Sequence, residues 1–177
     1  ADLAEPSKLL EDAIVATKAE EHRNALQLAT DAGTKADQVL TDFATSRLSG
    51  LRSALPHLGD EEGTLKALIN RADSALASRD FEGGFKAVDE GRTFVETRIR
   101  SQAEEIVGDL GIAIQMGLDS GVNIAALEPI HRELNGLLAG GRVGEIVAGR
   151  QKAVAALEKR LAEIEAALPP RPPAEAR

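Results

Sequence analysis

The sequence contains no cysteine, no tryptophan and no tyrosine, and only four of its 177 residues are phenylalanine. Without cysteine the chain has no disulfide, no thiolate nucleophile and no thiolate metal ligand. Hydrophobic residues nevertheless make up 43% of the chain, so a buried core must be aliphatic and rich in alanine. That composition favours closely packed helices, because sheets draw more heavily on aromatic and β-branched residues.

Basic charge is also scarce. The chain carries 21 lysine and arginine residues against 29 aspartate and glutamate residues, a net charge of −8. Residues 1–56 carry −3, residues 57–117 carry −5 and residues 118–177 are neutral, so no third of the chain is basic. Because binding to nucleic acid needs a concentrated basic surface, the sequence predicts no nucleic-acid partner.

No apolar run approaches the roughly 18 residues that a membrane-spanning helix needs, so the sequence predicts no insertion into a membrane. The first residue is Ala1 rather than methionine, which fits a segment of a longer protein, removal of the initiator methionine or a mature chain after signal cleavage. The compartment therefore stays open between the cytoplasm, which we favour, and export.

Apolar residues recur three or four positions apart over most of the chain, which is the spacing of one face of an α-helix. Three long helices are predicted over residues 20–55, 81–116 and 142–168, each preceded by a short helix, at 9–17, 65–76 and 124–138. The apolar stripe of the first long helix comprises Leu26, Ala29, Ala36, Leu40, Phe43, Leu51 and Leu55. That of the second comprises Phe81, Phe85, Val88, Val95, Ile99, Ala103, Ile106, Leu110 and Ala113. The sequence thus predicts an all-α fold.

The long helices are predicted to belong to a repeat. His22, Phe81 and Val143 occupy matching positions, 59 and 62 residues apart. A period near 60 covers half of a long helix, a short helix and half of the next long helix, so we expect tandem antiparallel three-helix units that share long continuous helices in an elongated helical bundle. The predicted division is an N-terminal partial repeat at 1–50, three-helix repeats at 51–109 and 110–168, and a proline-rich tail or linker at 169–177.

This alternation of short and long helices resembles the spectrin type of repeat, in which one continuous helix leaves a three-helix bundle and becomes the first helix of the next. The resemblance implies coiled-coil packing and a structural, scaffolding role. A local stretch, Ala72–Phe85, is similar to the turn of the tetratricopeptide motif. Tetratricopeptide units recur about every 34 residues with helices of equal length, so the period near 60 favours the three-helix units.

Few residues are candidates for site chemistry. Glu128 and His131 have the Glu-x-x-His spacing with which helices of di-iron proteins hold one metal, but the sequence offers no second copy of that motif. The glycine-rich segment Ala139–Gly144 lacks the Gly-Lys-Ser/Thr ending of a phosphate loop and indicates a tight turn instead. The sequence therefore predicts no catalytic residue, no cofactor and no metal, in a protein that is not an enzyme.

A stripe of small residues on the first long helix, Ala29, Ala32, Gly33 and Ala36, is a candidate binding groove. Small side chains let a second helix approach closely, and that helix is either a neighbour in the same bundle or part of a protein partner. We expect a structural spacer or scaffold with protein partners or self-association. The alternative is a compact adaptor or sensor domain that binds a partner helix or a small ligand in an interhelical groove.

Overall fold

The fold is taken from a computed structural model, which describes residues 2–119 and 123–167, with side chains up to Glu163. All regular structure in these ranges is helical, and no strand is present there, which confirms the predicted all-α fold. The predicted tail at 169–177 lies outside the described residues. The α-helices of the described ranges are α1 (Ala4–Lys18), α2 (His22–Ala54), α3 (Glu62–Ala77), α4 (Phe81–Asp119), α5 (Leu127–Gly140) and α6 (Val143–Ala167), and two short 3-10 helices, Leu55–His57 and Gly59–Glu61, connect α2 to α3.

Long and short helices alternate along the chain, as the apolar periodicity predicts. Helices α2, α4 and α6 have 33, 39 and 25 residues, whereas α1, α3 and α5 have 15, 16 and 14. The long helices begin at His22, Phe81 and Val143, so their starts keep the offsets of 59 and 62 residues. Helix α1 begins at Ala4 rather than at the predicted residue 9, because Pro6 fits the first turn of a helix, where its missing N–H is not needed.

The turns before α2 and α4 have the same conformation. Glu20 and Arg79, which are 59 residues apart, both have a φ of 61°. In each turn the next residue donates its backbone N–H to the carbonyl five positions back, over 2.9 Å in the first turn and 2.8 Å in the second. These bonds satisfy carbonyl groups at the end of the preceding helix. The hairpin of α1 and α2 therefore has the same connection as the hairpin of α3 and α4.

The chain divides into two compact units, Ala1–Val95 and Glu96–Arg177. The division falls inside α4, which is continuous from Phe81 to Asp119. The repeat boundaries placed near residues 50 and 109 rest on the spacing of apolar residues rather than on contacts, and they stay predictions.

In the first unit, the second half of α2 packs with α3 and with the first part of α4. The ring of Phe43 on α2 meets the ring of Phe85 on α4 edge to face, with centroids 5.7 Å apart. A Cβ added at Gly91 of α4 would be 2.8 Å from Leu51 of α2 and 3.5 Å from Leu65 of α3, so the three helices meet closely there. Because the contacts advance together along both chains, α2 and α4 run parallel.

The direction of α3 follows from its contacts with α4. Leu76 near the end of α3 lies beside Gly84, and Leu65 near its start lies beside Gly91, so the two helices are antiparallel. Burying a large aliphatic side chain contributes about 1.5–3 kcal/mol, and such residues form this core. The hydrophobic residues of this part that are at most 6% exposed are Ala44, Leu48, Leu51, Leu58, Leu65, Ile69, Ala72, Ala87, Val88 and Val95.

Helix α1 and the first half of α2 form an antiparallel hairpin in the same unit. The Lys35 ammonium group pairs with the Glu5 carboxylate across this hairpin. Its interior contains small residues, because short side chains allow the two helix backbones to approach closely. The buried residues of the hairpin are Pro6, Ala13, Ala16, Ala25 and Ala32.

In the second unit, the rest of α4 packs with α5 and α6. Lys152 of α6 pairs with Glu133 of α5, and a Cβ added at Gly149 would be 2.8 Å from Leu137, so α5 and α6 are close and antiparallel. The buried hydrophobic residues here are Ile99, Ala103, Leu110, Ile124, Leu127, Leu134, Ile146 and Ala153. Among the described residues of both units, no polar or charged residue is buried.

Candidate functional site

The candidate metal pair, Glu128 and His131, lies in a shallow pocket of the second unit between α4 and α5. A Cβ added at Gly111 would be 3.8 Å from Nε2 of His131. Arg132 also lines the pocket, and its positive charge disfavours a cation there. Over residues 2–119 and 123–163, no three histidine, aspartate or glutamate side chains form a group that could hold a metal ion.

The glycine-rich segment between α5 and α6 forms a turn whose backbone groups bond to neighbouring residues. The N–H of Gly141 donates to the carbonyl of Leu137 over 2.6 Å. The N–H of Arg142 donates to Oε2 of Glu145 over 2.7 Å, which satisfies a free donor at the start of α6. The segment therefore acts as a tight turn, as its sequence indicates.

The four residues of the predicted groove do not share one environment. Ala32 is buried in the hairpin interior and Ala36 is half-buried. Ala29 and Gly33 are exposed, and no atom lies within 4 Å of a Cβ added at Gly33. Ala32 thus packs within the hairpin, while Ala29 and Gly33 form open surface.

Large aliphatic residues of α1 lie exposed beside this open surface. Leu3, Leu10 and Ile14 are 39%, 52% and 51% exposed, and their spacing of seven and four residues places them along one helix face. At 3.6 residues per turn, this face and that of Ala29 and Gly33 point to the same side of the antiparallel hairpin. We call the surface formed by these five residues the hairpin groove.

Leu26 at the rim of the hairpin groove was predicted to belong to the buried stripe of α2, and this prediction was wrong. The side chain is 71% exposed, and the buried positions on this part of α2 are Ala25 and Ala32, with Leu28 half-buried between them. The predicted apolar stripe and the observed buried positions both follow helical spacing. Periodicity gives the width of an apolar face, but the neighbouring helix decides which edge of that face it covers.

A polar contact of the second unit joins α4 to α6. Arg150 of α6 donates from Nη1 to the amide oxygen of Gln102 on α4. Burial lowers the pKa of the Arg150 guanidinium below its ordinary value. Arginine stays protonated at neutral pH even so, and we interpret this residue as a link between two helices rather than as a proton donor.

Exposed aliphatic residues also occur in the second unit. Ile112, Met116 and Leu118 near the end of α4 are 61%, 64% and 58% exposed, and Leu161 of α6 is 58% exposed.

Within the described part of the chain, no helix combines the length and the apolar character that crossing a membrane requires.

Comparisons with known proteins give no relative for this chain. No family model, no curated protein and no solved structure matches it. A proposal for function therefore has to come from the helices and the surfaces described above.

Proposed function

We propose that this chain is a non-enzymatic structural spacer or scaffold, whose helix bundles hold attached domains or partners a set distance apart. The observation that carries the proposal is α4, whose 39 residues pass without a break through the division between the two units. A helix of that length extends about 58 Å. Val95 and Ile99, on either side of the division, are 6% and 1% exposed.

The surface chemistry is compatible with this role. The ion pairs between described residues involve exposed or partly exposed side chains, as in Arg52–Asp73 and Arg71–Glu90, and pairs of this kind contribute about 0–1 kcal/mol each. Stability therefore depends on aliphatic packing along the helices. A spectrin-like order of units, in which each long helix serves two bundles, is part of the same proposal.

A second candidate function is an adaptor that binds a helix of another protein. The hairpin groove favours it, because Leu10 and Ile14 leave a row of aliphatic side chains exposed next to small residues. Grooves of this kind accept the apolar face of an amphipathic helix.

The spacer role can be tested by measuring a distance along α4. Lys86 and Gln115 are exposed residues of this helix, and the chain has no native cysteine, so Lys86→Cys and Gln115→Cys provide two unique sites for spin labels. They are 29 residues apart, so we expect a narrow distance distribution by pulsed electron resonance, centred at about 44 Å between backbones. A broad distribution, or a much shorter distance, would overturn the spacer proposal.

Ser101→Pro is the perturbed variant for this measurement, and Ser101→Ala is its matched control. Ser101 lies inside α4, where proline removes a hydrogen bond and clashes with the preceding turn. We expect the proline variant to broaden the distribution and to lower the free energy of unfolding by about 3 kcal/mol. The alanine variant should keep the narrow distribution, because alanine favours a helix.

A further inference from the structure

Exposed residues of the hairpin have counterparts one repeat later that are covered. Leu10 is 52% exposed, whereas Ile69, 59 residues later on α3, is 4% exposed. Leu26 is 71% exposed, whereas Phe85, again 59 residues later, packs edge to face against Phe43. The shared turn conformation before α2 and α4 supports this alignment. The first hairpin therefore leaves exposed a surface whose counterpart on the second hairpin is covered.

The latter half of α2 covers this surface of the second hairpin. Phe43 contacts Phe85 from that helix, and Arg52 donates from Nη2 to both carboxylate oxygens of Asp73 on α3, over 2.9 and 2.7 Å. Asp73 is the counterpart of Ile14, which is 51% exposed on α1. The hairpin groove thus has the position that a preceding long helix would cover, parallel to α2 and antiparallel to α1.

The end of α6 is a helix segment of the same kind. Leu161 is 58% exposed, whereas Ile99, its counterpart 62 residues earlier on α4, is 1% exposed. The pairing of Glu133 with Lys152 places the start of α5 level with about residue 158 of α6, because antiparallel neighbours advance in opposite directions. The remainder of α6, up to Ala167, extends beyond α5 and leaves its apolar face uncovered at Leu161.

We propose that the hairpin groove of one molecule binds the end of α6 of a second copy. The bound helix takes the place that the latter half of α2 has beside α3 and α4. The inference rests on the proposed spacer function in one respect, since it extends the shared-helix arrangement from one molecule to the next. The contact joins two different surfaces, so it leaves a free groove and a free helix end, and assembly continues head to tail.

Charge favours this occupant over a second hairpin. Residues 2–37, which contain the hairpin groove, have four basic and eight acidic residues, a net charge of −4. Helix α6 has four of each and is neutral. Pairing two hairpins brings like charges together, whereas pairing the hairpin with α6 does not.

Two variants that each block one surface test the proposal by sedimentation equilibrium. Leu10→Glu places a charge in the groove, and Leu161→Glu places one on the helix end. Both residues are more than half exposed, so we expect each variant to keep its fold. We expect the mass of the wild type to rise with concentration from micromolar to millimolar without a plateau. Each variant alone should lose this association by more than about tenfold. An equimolar mixture of the two should form a one-to-one dimer, because each supplies the surface that the other lacks.

Val15→Glu is the matched control, since Val15 is 65% exposed on the other side of α1 and should associate like the wild type. Ile14→Glu replaces Leu10→Glu if circular dichroism shows that the latter has unfolded. A monomeric wild type at all concentrations overturns the proposal and leaves the adaptor as the role of the groove. Undiminished association of Leu161→Glu also overturns it, because it indicates pairing of hairpins. Neither result changes the distance along α4, so the spacer function is tested separately.

Discussion

Arg100 of α4 donates from Nη1 to the backbone carbonyl of Leu138 on α5 over 2.9 Å. Its Nη2 also donates to the carbonyl of Gly141 over 3.2 Å, so one guanidinium group binds the last turn of α5 and the residue after it. The final carbonyl groups of a helix have no partner within the helix, and a cationic donor stabilises them through both hydrogen bonding and the helix dipole.

Removing this side chain should weaken the second unit. We expect Arg100→Ala to lower the free energy of unfolding by about 1–2 kcal/mol, because two backbone carbonyls lose a charged donor. Arg100→Lys should have a smaller effect, since lysine keeps the charge but lacks the planar fork. Urea denaturation measures the change. Arg92→Ala, at an exposed position of the same helix, should stay within about 0.5 kcal/mol of the wild type, and an equal loss there would contradict this role for Arg100.

Leu134 of α5 has no exposed surface, so truncating it leaves a cavity. We expect Leu134→Ala to lower the free energy of unfolding by about 2–5 kcal/mol. Leu161→Ala makes the same chemical change at a side chain that is 58% exposed. In a dilute solution of monomers, it should lower the free energy of unfolding by less than about 1 kcal/mol. Thermal unfolding of both variants at one low concentration compares them, and similar losses would show that burial on α5 is not what stabilises the unit.

Gly91 and Gly108 are both inside α4, yet they should respond in opposite ways to the same substitution. A Cβ at Gly91 would be 2.8 Å from buried Leu51, so Gly91→Val should lower stability by about 1–3 kcal/mol through overpacking. No atom lies within 4 Å of a Cβ at Gly108, so Gly108→Val should raise stability by about 0.3 kcal/mol, the difference in helix propensity. Denaturant midpoints distinguish the two, and a stabilised Gly91→Val would show that α2 and α4 are further apart.

Glu20 has a φ of 61° in the turn between α1 and α2, a conformation that costs a side-chain-bearing residue about 1–2 kcal/mol. Glycine adopts it freely, although it also gains entropy in the unfolded chain, so we expect Glu20→Gly to raise stability by up to about 1 kcal/mol. Glu21 has a φ of −84°, so Glu21→Gly at the next position should lower stability instead. Thermal melts of the two variants give the sign directly, and a loss in both would rule out strain at Glu20.

The positions of the helices could be predicted from the sequence. The second long helix was expected over 81–116 and spans Phe81–Asp119, because an uninterrupted apolar stripe and flanking turn residues determine its start and place its end within a turn of the observed one. The first long helix was expected from residue 20 and begins at His22. The turn before it contains Glu20 in a left-handed conformation, and only a glycine at that position would have indicated the turn from the sequence.

The environment of individual side chains could not be predicted in the same way. Leu10 and Ile69 have similar side chains at matching positions, and only the helix that lies beside Ile69 makes it buried. Ala29 and Ala32 both belong to a small-residue stripe, but α1 covers only the second. Exposure depends on which helices are present to pack, and the amphipathic pattern of one helix does not contain that information.

Helix α4 has notches at Gly84 and Gly91, and helix α6 has one at Gly149, where leucine side chains of neighbouring helices fit against bare backbone. In many coiled coils, a buried polar residue prevents one helix from sliding along another. The described core here has no such residue, so steric fit must perform that task. Placing side chains at all three glycines would leave a chain that still forms its helices. Neighbouring helices could then shift by one turn along each other and pack in more than one register.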